Sequence, residues 1–180
     1  MKKGLKIAIS GKSGCGNTTV SKIIADSLGL QFINFTFRSL AQEREISLGK
    51  VLELAAEDDS WDKEVDCRQL QIARDSAGCV LGSRLAIWML EEADLKVYLT
   101  ASAEKRARRI MKREGGSLEE VKTFTAERDR QDRERYIRIY NIDNNNYNFA
   151  HMVIDTDNLE PDAIARIIIT EAEKIHDENN

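Results

Sequence analysis

Ile7-Ala8-Ile9-Ser10-Gly11-Lys12-Ser13-Gly14-Cys15-Gly16-Asn17-Thr18-Thr19 is the stretch that decides the fold. It opens as a short, nearly uninterrupted apolar run, the pattern of a strand covered on both faces. Three glycines then fall within six residues, and a helical pattern over Asn17–Leu28 begins at once, stopped by Gly29. Glycines at this density let the backbone curl until its N–H groups converge, and the helix N-terminus adds partial positive charge. The combination is an anion cradle. A plain connection would need fewer glycines, since each costs roughly 0.5–1 kcal/mol of backbone entropy. The spacing G-x-x-x-x-G-K-[ST] is met at Gly11, Gly16 and Thr18, but Asn17 occupies its lysine position. Thr18 carries the hydroxyl that can meet the Mg²⁺ of a bound nucleotide. Lys12 is either the missing cation, approaching from the other side of the loop, or a solvent-facing lysine.

Outward from this loop, short apolar runs alternate with longer amphipathic ones, the signature of an α/β fold. Strands are expected at Leu5–Ser10, Gln31–Asn34, Gly78–Leu81, Leu95–Thr100 and His151–Asp155. Helices are expected at Asn17–Leu28, Trp61–Ser76, Ala103–Arg113 and Ser117–Tyr140, and again after Pro161. Ser117 with Glu120 reads as a capping box. The expectation is one domain over 1–180, a five-stranded parallel sheet with helical crossovers and a polar, mobile-looking helical excursion around 114–140.

The 180 residues suffice for one buried core, and 42% hydrophobic with 32% charged residues is ordinary for a globular protein. A net charge of −4 gives no whole-molecule reason to expect nucleic acid as a partner. Cys15, Cys67 and Cys79 lie far apart, which suits free thiols rather than a disulfide scaffold or zinc site. The opening MKKGLKIAIS has too short an apolar stretch for a signal-peptide core or membrane span. A cytoplasmic protein with no membrane partner is expected, with a monomer as the default.

Residues 104–140 carry twelve of the 27 Lys and Arg residues against eight acids. A guanidinium can fork onto two phosphate oxygens and stays charged at working pH, so preorganised arginines suit phosphoryl transfer. Arg128, Asp132 and Arg135 are spaced by four and three and share one helical face. That face is either a phosphate site or a solvated surface laced with ion pairs.

In ordered succession the chain resembles the cytidylate kinases, in the short form of archaea and some bacteria, within the nucleoside monophosphate kinases. The resemblance rests on residues 11–19, Phe37-Arg38-Ser39-Leu40-Ala41, Val65-Asp66-Cys67-Arg68-Gln69, Arg84 through Leu90, Ala93 through Thr100, and Arg106-Ala107-Arg108-Arg109-Ile110. Glu127 through Tyr140, which matches an R-[DE]-x-x-[DE]-x-x-R signature, and Asn141-Ile142-Asp143 complete it. Two departures stand out. Leu81-Gly82-Ser83-Arg84 lacks the family's acid before the arginine, which helps hold the Mg²⁺ water shell. The segment Ile33–Arg38 lacks its S-x-G, whose serine meets the cytosine.

The resemblance implies a three-layer α/β sandwich of the P-loop NTPase type, with an acceptor-binding insert at about 35–76 and a helical lid at about 114–140. It implies transfer of the γ-phosphate of ATP to CMP or dCMP, with Mg²⁺ accompanying the nucleotide. ATP would sit on Gly11, Lys12, Ser13, Gly14, Cys15, Gly16, Asn17, Thr18 and Thr19, with Arg106 and Arg109 as donor-side arginines and Thr18 at the metal. The acceptor would lie under Arg38, Arg84, Arg128 and Arg135, with Asp66 walling the pocket. Asp132 would accept from the cytosine amino group or orient an arginine. Lys12, Arg109 and Arg128 are the expected catalytic cations. Two alternatives stay open: a kinase for another small acceptor such as UMP or a non-nucleotide, and a nucleotide-binding regulatory or RNA-associated protein without turnover.

Overall fold

A computed structural model describes residues 4–178. The reading of Met1-Lys2-Lys3 and the outer limits of the 1–180 domain lie outside the described residues. The chain runs β1 (Lys6–Gly11), α1 (Asn17–Leu28), β2 (Gln31–Ile33), α2 (Phe37–Glu43), α3 (Leu48–Glu57), α4 (Ser60–Asp75) and β3 (Cys79–Gly82). It continues through α5 (Ala86–Met89), β4 (Leu95–Thr100), α6 (Ala103–Glu114), α7 (Leu118–Tyr140), β5 (Met152–Asp155) and α8 (Pro161–Glu178). The strands form one parallel sheet in the order β2-β3-β1-β4-β5.

The period-two alternation of β1 builds the three layers. Ile7 and Ile9 face Val20 and Ile24 of α1 and Ile164 and Ile168 of α8. Ala8 faces the opposite side, where Ala73 of α4, Ile87 of α5 and Tyr98 of β4 close a second cluster. Each fully buried Ile or Leu here contributes about 1.5–3 kcal/mol. Ile7 pairs with Val80 on one side and Leu95 on the other, so β1 is central. The chain order reverses at this strand, and the crevice beyond its carboxyl end is where open α/β sheets bind ligands. The phosphate loop sits there.

The expected five strands and α1, α4, α6, α7 and α8 are present with bounds shifted by a residue or so. The short helices α2, α3 and α5 were not expected from the pattern. Thr36 caps α2, with Ser39 returning the bond to the Thr36 N–H, and Ser47 caps α3. The segment 114–140 is not a free excursion: it is a turn plus α7, which packs on α6 through Ala107, Ile110 and Val121, with Met111 and Leu118 against them. Ser117 and Glu120 form the expected capping box.

Candidate active site

Residues 11–19 bend around an open cleft of about 1190 Å³ whose other walls come from α4, the β3–α5 turn, α6, α7 and the start of α8. Gly14 and Gly16 take φ of 86° and 102°, a left-handed conformation that side chains resist. At Gly11 a Cβ would lie 2.5 Å from the Leu99 carbonyl oxygen and 2.6 Å from Asn17 Oδ1. That close approach needs glycine.

The carbonyls of the loop are held from behind. Asn17 Nδ2 donates to the Gly11 carbonyl at 2.6 Å, Arg106 Nε to Ser13 at 2.7 Å, and an Arg109 terminal nitrogen to Gly14 at 3.1 Å. Thr156 Oγ1 lies 3.3 Å from the Cys15 carbonyl. With the carbonyls turned outward, no described carbonyl or side chain takes the N–H groups of Ser13, Gly14 or Gly16. Those donors are left for an anion. Burial pushes the Cys15 thiol up, against the field of Arg106, so it stays a neutral packing group.

This bracing engages three expected site residues, of which Asn17 and Arg109 still line the cleft and Arg106 does not. Asn17, in the lysine position of the motif, serves the loop itself. Arg106 is 6% exposed and held on two sides: besides Ser13 it forks onto Asp129 at 2.7 and 2.8 Å. Arg109 also donates to Thr156, to its Oγ1 at 2.9 Å and to its carbonyl at 2.7 Å. Lys12 and Thr18 line the cleft, Lys12 without an ion-pair partner among the described residues. Thr156 escaped the sequence reading, because nothing local marks a threonine after a strand as a loop brace.

Across the cleft, Arg84 follows β3 and pairs with Asp132 of α7. Asp132 also takes Arg135 at 3.0 Å, and Arg135 Nε lies 3.2 Å from Asp62 of α4. Burial pulls Arg84 down from its ordinary value, with Arg128 and Arg135 adding to the same direction, so three guanidiniums crowd one region. Arg128 is exposed to the cleft and has no ion-pair partner among the described residues. Asp66 accepts from Tyr140 Oη at 2.6 Å and Gln69 Nε2 at 2.7 Å, yet burial still raises its carboxyl above the usual range. Burial raises Asp62 likewise, against the pull of Arg135. The structure therefore brings together Arg84, Arg128, Asp132, Arg135 and Asp66, and adds Asp62.

Arg38 does not join them. The Thr36 cap starts α2 so that Leu40 and Ala41 turn inward, while Arg38 is exposed and outside the cleft lining. Its neighbours Asn34 and Phe35 line the cleft instead. Arg68 also points away, with both carboxylate oxygens of Glu43 at 2.9 Å.

For a divalent metal the chain offers little of its own. Among the described residues no cluster of three or more His, Cys, Asp or Glu could hold one. Thr18 is exposed in the cleft, and Asn34 Nδ2 reaches its Oγ1 at 3.4 Å. One hydroxyl beside a phosphate cradle fits a cation that arrives with a nucleotide and keeps several waters. Among the described residues no helix is long and apolar enough to cross a membrane.

A profile of the cytidylate kinase-like family matches residues 6–158. The chain is 47% identical over 174 residues to a protein named cytidylate kinase 2 from Borreliella burgdorferi, covering 94% of this chain and 96% of that one. It is 39% identical over 169 residues to a cytidylate kinase from Pyrococcus horikoshii, covering 93% and 88%. Among solved structures, the shikimate kinase of Acinetobacter baumannii superposes with a TM-score of 0.65 at 18% identity, over 96% of this chain and 95% of that one. The last likeness establishes the P-loop kinase fold, and the first three establish the lineage: the chain belongs to the cytidylate kinase-like family.

Proposed function

We propose that this protein transfers the γ-phosphate of ATP to CMP, or dCMP, giving ADP and the nucleoside diphosphate. The observation that carries the reading is the pairing of two anion sites across one cleft: free loop amides on one side, and Arg84, Arg128 and Arg135 on the other. Family membership and relatives named cytidylate kinase support the chemistry and the acceptor.

The donor triphosphate lies on the 11–19 loop, where the N–H groups and Lys12 meet its β- and γ-phosphates. An oxygen of the acceptor phosphate forms the new bond to the γ-phosphorus as the bridging β–γ bond breaks and ADP leaves with the electron pair. That oxygen is already ionised near neutral pH, so no general base is required. Lys12 and Arg128, which line the cleft without an ion-pair partner among the described residues, follow charge onto the equatorial oxygens. Arg109 acts one step back, through the Gly14 carbonyl. Mg²⁺, brought by ATP and met by Thr18, supplies electrostatic neutralisation of the phosphates. Asp132 orients Arg84 and Arg135 for the acceptor phosphate, and Asp66 faces the acceptor base. The reading takes the protein as a cytoplasmic monomer; the free thiols of Cys15, Cys67 and Cys79 accord with a reducing compartment.

The test is a panel of ribo- and deoxyribonucleoside monophosphates mixed with MgATP, with ADP followed by a coupled assay. CMP and dCMP should give the highest kcat/KM; a preference for UMP or for none of the panel would overturn the assignment.

A further inference from the structure

We infer that Asp129 is a positioning residue for the donor nucleotide, although it lies inside the arginine signature of the acceptor helix. The inference rests on reading the 11–19 loop as the donor site. Along α7, Arg128, Asp132 and Arg135 share one face, while Asp129 is turned about 100° away by the helical repeat. That turn aims it at α6. There its two oxygens take both terminal nitrogens of Arg106, at 2.7 and 2.8 Å.

Held in this way, the guanidinium is oriented so that its Nε points at the Ser13 carbonyl, at 2.7 Å. The arrangement uses the fork geometry that only arginine has. The packing is close as well: a Cβ on Gly14 would lie 3.0 Å from Arg106 Cα and from its carbonyl oxygen. Arg106 therefore fixes the peptide between Ser13 and Gly14, whose carbonyl faces α6 and whose N–H faces the cleft. Asp129 fixes Arg106. Both side chains are largely enclosed, at 7% and 18% exposure, so the pair is little screened by solvent.

The signature thus divides. Arg128, Asp132 and Arg135 face the acceptor, and Asp129 serves the donor loop through Arg106. A contrary role for Arg106, as a direct ligand of ATP, makes the opposite prediction. Freed from Asp129, a phosphate-binding Arg106 would hold ATP as tightly or more tightly.

The experiment measures ATP affinity by calorimetry, and KM for ATP and CMP separately, in the wild type, Asp129→Asn and Arg106→Lys. Asp129→Asn should weaken ATP binding and raise KM for ATP by about 10-fold or more, the scale of a misplaced binding group. KM for CMP should stay within about twofold. Arg106→Lys keeps a charge opposite Asp129 and so protects the fold. A point-charge ammonium cannot grip Ser13 while forking onto Asp129, so the same donor-side defect is expected. If Asp129→Asn does not fold, Asp129→Glu decides by the same readouts: it keeps the charge opposite Arg106 but displaces the carboxylate, so it should weaken ATP binding, whereas a directly binding Arg106 would keep its hold on ATP. A wild type that binds ATP beside variants that bind it equally or more tightly overturns the proposal. A rise confined to KM for CMP overturns it too. A wild type that binds no ATP overturns the donor-loop reading and the proposal with it.

Discussion

Replacing Asp132 by Asn removes one negative charge from between two guanidiniums. Asp132 has 8% side-chain exposure, and its partners Arg84 and Arg135 have 24% and 30%. Breaking a fully buried pair costs about 3–5 kcal/mol because the partner is left charged and unneutralised. Here both arginines keep some solvent, and Arg135 keeps Asp62 at 3.2 Å, so about 2–3 kcal/mol is expected. For a chain of 180 residues that corresponds to a Tm lower by about 5–10 °C. The lost charge can be supplied from outside. Sulfate, a dianion of phosphate-like geometry, should therefore raise the Tm of Asp132→Asn by several degrees more than that of the wild type. The assay is a thermal melt at increasing sulfate concentration, with ionic strength held constant by sodium chloride. Turnover should fall even where the fold is rescued, because Arg84 and Arg135 lose their orientation. A variant that melts with the wild type, shows no added response to sulfate and loses only its discrimination of CMP from UMP would refute this reasoning. It would place Asp132 on the base instead.

Lys12→Ala should lower kcat by about 10²–10³-fold, the range for removing one preorganised charge at a transferring group, with melting unchanged. Thr18→Val should raise the divalent cation concentration needed for half-maximal rate and weaken Mn²⁺ binding in the presence of ATP, read by water-proton relaxation. Asp66 has its carboxyl raised above the ordinary 3.8 by burial, so the folded state binds that proton at higher pH than the unfolded chain. Its ionisation thus counts against folding as pH rises through that window. Asp66→Asn should raise Tm at about pH 7, the gain fading by about pH 4, while KM for CMP increases.

The fold was legible because its decisive signals are local. Ile7–Ser10 running into three glycines, the Ser117–Glu120 box and Gly29 after Leu28 each identify an element without tertiary information. The helices α2 and α3 escaped because they are short and because the Thr36 box closes with Ser39 rather than with a Glu or Gln. The site was legible by residue type and not by aim. A guanidinium offers the same donors to a phosphate as to a peptide carbonyl, so the spacing of Arg106 and Arg109 could not reveal that both grip the loop from behind. The partnership of Asp66 with Tyr140 spans 74 positions and exists only once α4 and α7 meet. Arg38 shows the converse: its type fits a phosphate site, but the cap at Thr36 starts α2 so that it is exposed and outside the cleft lining.

The central claim is direct transfer between two nucleotides held in one cleft. Its most direct test is ³¹P NMR of the protein with MgATP and CMP, compared with Arg128→Ala. The account predicts CDP and ADP appearing in equal amounts without inorganic phosphate, and loss of that exchange in the variant. ADP appearing with free phosphate in place of CDP, or equal CDP formation by Arg128→Ala, would contradict it.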